Sequence, residues 1–245
     1  MFMIKRLIVN ADDFALTSDI SRAIIESFQN GVVTSTTILA NCDAKLLEEA
    51  IELSKQNPDL GIGAHLVLTT RKPILKEHKT LVDVFGNFKY TTGSFDETID
   101  VEEVYLEWKA QLDRLKAHFN LTHIDSHHHV HMSPKLHSIA RRLSKEYKLP
   151  LRSRTDNFPF GIKTALGFQG ENATVEYLKS VIESEKGLLE IMVHPGYEND
   201  IFLEEISDYN TERYTELKVL CSDEIKTFLE ENEIELVNYS FIHLK

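Results

Sequence analysis

The stretch Thr122–Met132, T-H-I-D-S-H-H-H-V-H-M, gathers a carboxylate and several imidazoles within a few positions. Read as an extended strand running into a loop, it alternates its side chains, so that Asp125, His127, His129 and His131 share one face and His128 and Val130 the other. Buried imidazoles and carboxylates are costly unless they are hydrogen-bonded, paired or bound to an ion. A cation is the simplest common partner for the row. A lone core histidine or an exposed metal-scavenging tract is the ordinary alternative, but Ile124 before the tract and Pro134 after it mark a strand-to-helix corner, where α/β enzymes place their chemistry.

Three further strand ends offer groups of the same kind. Ile4–Asn10 reads as a buried parallel strand and runs into Asp12 and Asp13, adjacent carboxylates that repel unless a cation is shared or one holds a proton. His65 sits inside the apolar strand Leu60–Leu68, and His194 follows the apolar strand Gly187–Val193 in the turn H-P-G-Y. The segment Leu149–Arg154 reads as a strand that sets Arg152 and Arg154 on one face, where guanidinium forks suit a catalytic aspartate or a substrate anion.

The elements between these points alternate. Helical spacing is expected from a cap at Thr17 or Ser18 to a stop at Asn30-Gly31, from Asp43 or Ala44 to Gln56, and over Val101–Phe119, Pro134–Tyr147, Thr174–Glu183 and Thr211–Glu231, with strands at Val32–Leu39 and Ile234–Asn238. Strand and helix in turn give a parallel α/β fold. Residues 70–100 break the rhythm and read as a substrate-side loop insertion, while Phe158–Gly170, aromatic and glycine-containing, reads as a rim for a flat ligand. In a parallel barrel the C-terminal strand ends converge, which would join Asp12, Asp13, His65, the histidine row and His194 around one mouth. One carboxylate and two imidazoles would hold an ion, leaving a second carboxylate and a spare imidazole for proton transfer. That inventory suits metal-assisted hydrolysis.

Composition narrows the partners. With 39 acidic against 27 basic residues and a net charge of −12, and with no basic block, nucleic acid is not expected. No apolar run reaches about 18 residues, so no membrane span is expected, and the absence of a leader pattern suggests a cytoplasmic protein. Cys42 and Cys221 are too few for a disulfide framework or a thiolate zinc site, so any metal has nitrogen and oxygen ligands.

Several ordered blocks resemble the YdjC-like carbohydrate deacetylase family: N-A-D-D-F at 10–14, V-T-S-T-T at 33–37, G-A-H-L-V-L-T at 63–69, H-I-D-S-H-H-H-V-H at 123–131 and H-P-G at 194–196. Ala15 stands where that family usually has glycine. The resemblance implies a single domain over residues 1–245, folded as a deformed (β/α) barrel of about seven parallel strands. It implies removal of acetyl groups from N-acetylated sugars, with Asp13, His65 and His127 holding one divalent metal, magnesium by resemblance and zinc or cobalt by ligand preference. Asp12 would be the base and His194 the acid. Asp125, His129, His131, Arg152 and Arg154 would contact substrate or support the ligands. A small N-acetylated sugar, free or phosphorylated, is the expected substrate and a homodimer an expected assembly. A sugar phosphoesterase using the arginines, or a non-catalytic sugar-binding protein, are the competing readings.

Overall fold

A computed structural model describes residues 5–91, 94–152 and 163–242. Seven parallel strands form its sheet: β1 (Lys5–Phe14), β2 (Ser35–Leu39), β3 (Gly61–Leu66), β4 (Ile124–Ser126), β5 (Lys163–Ala165), β6 (Leu188–Val193) and β7 (Ile234–Leu236). The order is β4-β3-β2-β1-β6-β5. The first half of β1 also pairs with β7, through Lys5–Leu7, and its second half with β2, from Asn10 onward. Strands β2, β3 and β4 are buried along their whole length, as expected where helices cover a parallel sheet.

Helices α1 (Ser18–Gln29), α2 (Ala44–Gln56), α3 (Val101–Lys116), α4 (His137–Tyr147), α5 (Val175–Ser184), α6 (Ile201–Glu204), α7 (Thr211–Leu220) and α8 (Asp223–Glu231) connect the strands. Thr17 caps α1 by accepting the Ile20 N–H, and Asp43 caps α2 by accepting that of Leu46. The continuous C-terminal helix expected from the sequence is two helices, because the Ser222 side chain caps a new start at α8. Insertion 70–100 is irregular, as expected, yet tethered. Glu107 on α3 accepts the N–H groups of Ile74 and Leu75, and Glu103 accepts those of Lys79 and Thr80.

Two sequence expectations are corrected. The histidine tract is not a long strand: β4 ends at Ser126, whose hydroxyl accepts the His131 N–H at 2.9 Å and meets the His131 ring at 2.5 Å, folding the chain into 3₁₀ turns over His127–Met132. His128 and His129 both take left-handed backbone angles there. Of the aromatic rim expected at Phe158–Gly170, residues 158–162 lie outside the described residues, Lys163–Ala165 form β5, Phe168 is buried in the core rather than on a rim, and Gln169 does line a cavity. Of the expected strand Leu149–Arg154, Leu151 bridges Ile124, while residues 153 and 154 lie outside the described residues.

Glycine matters most at Gly63. A Cβ there would lie 2.4 Å from the ring of His123, which stacks on Tyr239 and bonds the Asn10 side chain at 2.9 Å. Gly63→Ala is therefore expected to lower stability by about 1–3 kcal/mol through overpacking, whereas Gly170→Ala, in open space at positive φ, should cost about 1–2 kcal/mol from backbone strain alone. Urea unfolding of both variants checks this: the Gly63 variant alone should also disturb the near-ultraviolet signal of the packed rings.

Candidate metal and catalytic site

The site begins with a defect in β1. Its register against β2 shifts between Ala11 and Phe14, and Asp13 and Ala15 both adopt positive φ, 75° and 64°. Such angles cost a residue bearing a Cβ about 1–2 kcal/mol. Ala15 therefore keeps the turn that glycine would enter freely. The bulge gives the adjacent aspartates different partners.

Asp12 faces Arg152. Both of its oxygens accept from the guanidinium at 2.7 Å, and Asn10 adds a third bond at 2.9 Å. The same guanidinium lies 2.9 Å from Asp125 and 2.9 Å from Glu190. All four side chains are essentially sealed from solvent. Burial alone would raise the Asp12 pKa, but the Arg152 charge and its hydrogen bonds hold it below the usual carboxylate range. Arg152 is thus a buried counter-ion with its fork occupied, not a substrate contact.

Asp13 faces the cavity. Its Oδ1 lies 3.0 Å from His127 Nδ1 and 3.3 Å from His65 Nε2, while Oδ2 accepts from Arg213 at 2.7 Å. One ligand atom from each of Asp13, His65 and His127 lies within 4.8 Å of the others. At its other nitrogen, His65 meets Asp125 at 2.7 Å, the carboxylate–histidine pairing that orients a metal-ligating imidazole. Burial disfavours a charge on His65, but Asp125 and its neighbouring carboxylates push its pKa up to about 10. The surroundings thus favour positive charge at this ring, and the donor set of one carboxylate and two imidazoles fits a divalent ion. Asp12, His65 and Asp125 also lie close together, but Arg152 already bonds both of those carboxylates.

A cavity of about 530 Å³ opens over this cluster, lined by Asp12, Asp13, His65, His127, His194 and Arg213 among others. Burial pushes the His194 pKa down to about 4. Its backbone N–H donates to Glu216, whose Oε1 lies 3.9 Å from His194 Nδ1 and accepts the Tyr209 hydroxyl. Burial raises Glu216 to about 7. His128 and His129 also line the cavity, so the expected division of the row into two faces is overturned by the turn at 127–132. His131 is fully buried, bonded to Ser126 and to the Arg152 carbonyl, and is not among the cavity residues. Arg154 lies outside the described residues.

Sequence reasoning missed Arg213, Glu216, Tyr209 and Glu190. The signal was present in part. Glu190 interrupts an apolar strand, and Arg213 and Glu216 share the buried face of α7 with Leu217 and Leu220.

A family model described as YdjC-like protein matches residues 6–231. The chain belongs to the YdjC-like family. Curated relatives of this YdjC-like protein, each named carbohydrate deacetylase, include one from Brevibacillus brevis, 36% identical over 96% of this chain and 98% of the relative, and one from Clostridium beijerinckii, 38% identical over 97% and 100%. A crystal structure of an Enterococcus faecalis protein described as a cellobiose-phosphate cleavage protein superposes with a TM-score of 0.91 at 35% identity, covering 98% of this chain and 100% of that one. The Xyl-CE4 domain of a xylanase from a Trinervitermes trinervoides hindgut metagenome, 9% identical, superposes with a TM-score of 0.55 over 97% of this chain and 89% of that one. It shows a shared fold alone: the curled parallel sheet with surrounding helices of a deformed (β/α) barrel.

Removing the buried cation should be severe. Arg152→Met is expected to cost about 3–5 kcal/mol, the usual penalty for stranding one side of a buried ion pair, measured by urea unfolding. Acid should also weaken the fold. Burial holds His123 and His131 well below their ordinary pKa and His194 near 4, so below about pH 6.5 the unfolded chain takes up protons that the folded chain refuses. Each such histidine removes up to about 1.4 kcal/mol per pH unit. Glu216, Glu190 and His65 oppose them, because a raised pKa adds stability as pH falls, but the His65 contribution is largely in place once pH has fallen to about 6.5, the ordinary histidine pKa. The urea midpoint should therefore drop between pH 6.5 and 5, and a flat profile would contradict the buried neutral histidines.

Proposed function

We propose that this YdjC-like chain, as one domain over residues 1–245, is a metal-dependent carbohydrate deacetylase acting on short N-acetylglucosamine oligosaccharides such as diacetylchitobiose. The observation that carries the reading is Asp13, His65 and His127 facing one another beside a second carboxylate that an arginine keeps ionised, in a chain whose relatives are named carbohydrate deacetylases. Asp13, His65 and His127 would hold a divalent ion, magnesium by family resemblance, which would supply Lewis-acid polarisation of the acetyl carbonyl and of water, so that a weakly basic carboxylate would suffice as proton acceptor.

The chain's own groups do the rest. Asp12 is the base, fixed at both oxygens by Arg152 so that it stays ionised and cannot rotate away. His194 serves the leaving amine. It is neutral when the site is empty of substrate, and Glu216, titrating near neutrality beside its Nδ1, is the nearby carboxyl that can support its protonation. Arg213 holds Asp13 in place. Asp125 orients His65.

A phosphoesterase reading finds less support. Arg152 is saturated by carboxylates, and among the described residues lining the cavity Arg213 is the single lysine or arginine, with one nitrogen bound to Asp13. Metal-free protein given magnesium, zinc, cobalt or manganese should release acetate from diacetylchitobiose and no phosphate from sugar phosphates. Asp12→Asn should lower turnover by about 10²–10⁴-fold with metal still bound, whereas His127→Ala should lose the metal, both read by elemental analysis alongside acetate release. Phosphate release without acetate would overturn the assignment.

A further inference from the structure

The cavity is of the size that encloses one drug-sized ligand, which a di-N-acetyl disaccharide would occupy. A longer oligosaccharide has to leave by the mouth. Ile206 marks that mouth, because it both lines the cavity and is 51% exposed. One helical turn earlier, on α6, Phe202 is 68% exposed and Ile201 65% exposed. The backbone keeps turning past α6, with the Ile206 and Ser207 N–H groups bonding the Leu203 carbonyl, so Phe202 and Ile206 at i and i+4 share a side. Ile206 is the member of this apolar group that lines the cavity, with Phe202 flanking it one turn earlier, and grouped exposed apolar side chains can mark a contact surface.

We infer that Phe202, with Ile206, is the platform on which a third pyranose ring of the substrate stacks as the oligosaccharide emerges from the catalytic cavity, making α6 a determinant of preferred chain length. This rests on the deacetylase reading. Two features of the structure support a ring of this kind as the occupant. The platform is held in register with the catalytic turn, since Asp200 caps α6 through the Phe202 and Leu203 N–H groups and also accepts from Thr17, the residue that caps α1 just beyond Asp13. The surrounding segment 198–210 carries Glu198, Asp200, Glu204, Glu205 and Asp208 and no lysine or arginine. An apolar face in an acidic frame suits an uncharged or amine-bearing ring and repels a phosphate, so a phosphorylated end of the chain does not cross this rim.

The test is calorimetric binding of di-N-acetyl and tri-N-acetyl oligosaccharides to metal-loaded wild type, Phe202→Ala and Phe202→Trp. Wild type should bind the trisaccharide more tightly than the disaccharide. Phe202→Ala should shrink that preference roughly five-fold, the scale of one lost ring contact, and Phe202→Trp should restore it. Leu106→Ser, a comparably exposed site on α3, should leave the preference unchanged. An unchanged preference in Phe202→Ala, or equal weakening of both sugars, overturns the platform. Acetate release measured on the same samples keeps the two ideas apart: length-dependent binding without acetate sinks the deacetylase reading and spares the platform, and acetate release with no effect at Phe202 does the reverse.

Discussion

A single guanidinium organises the centre of this molecule. Arg152 lies within hydrogen-bond distance of Asp12, Asp125 and Glu190, all sealed from water. Three carboxylates around one cation would not balance on their own, and burial does raise Glu190 above its usual pKa. The remaining negative charge is directed outward: Asp125 turns it onto His65, and His65 and His127 meet Asp13 at the cavity floor. Arg213 on Asp13 and the positive charge favoured at His65 supply further counter-charge there, which matters because desolvated carboxylates without one are among the costliest features a core can contain.

The backbone serves this arrangement at several strained points. Asp13, Ala15, His128 and His129 all occupy the left-handed region, and each belongs to the turns that bring the aspartates and the histidine tract to the cavity. Such strain persists only where surrounding packing over-determines it. Here the Asn10–His123 bond, the seat of His123 over Gly63 and the Ser126–His131 pair supply that constraint. Asp13, His65 and His127 are therefore backed by a second layer of buried polar contacts.

The layers around the site divide the work between acid–base chemistry and recognition. α7 contributes Arg213 and Glu216 from its buried face, one bound to Asp13 and the other beside His194. Insertion 70–100 contributes Thr91 to the cavity wall and is anchored to α3 by Glu103 and Glu107. Asp12, Asp13 and His65 thus come from strands, Arg213 and Glu216 from a helix, and Ile206 at the mouth from the segment after a short helix.

The sequence by itself determined the alternating parallel fold, because apolar runs and amphipathic spacing are local properties of the chain, and it marked Asp12, Asp13, His65, His127 and His194 because polar groups at the ends of buried strands are conspicuous. Tertiary structure decided what each aspartate meets, since a one-residue bulge and a positive φ at Asp13 send Asp12 to Arg152 and Asp13 to His65, His127 and Arg213. It also decided that His131 is a packing residue and Arg152 a counter-ion, and it brought in Glu190, Arg213 and Glu216. Those roles depend on partners outside the local element: His131 bonds the Arg152 carbonyl 21 positions on, Glu216 meets His194 22 positions back, Arg152 meets Glu190 38 positions on and Arg213 meets Asp13 200 positions back, and no pattern within a strand or helix carries information over that range.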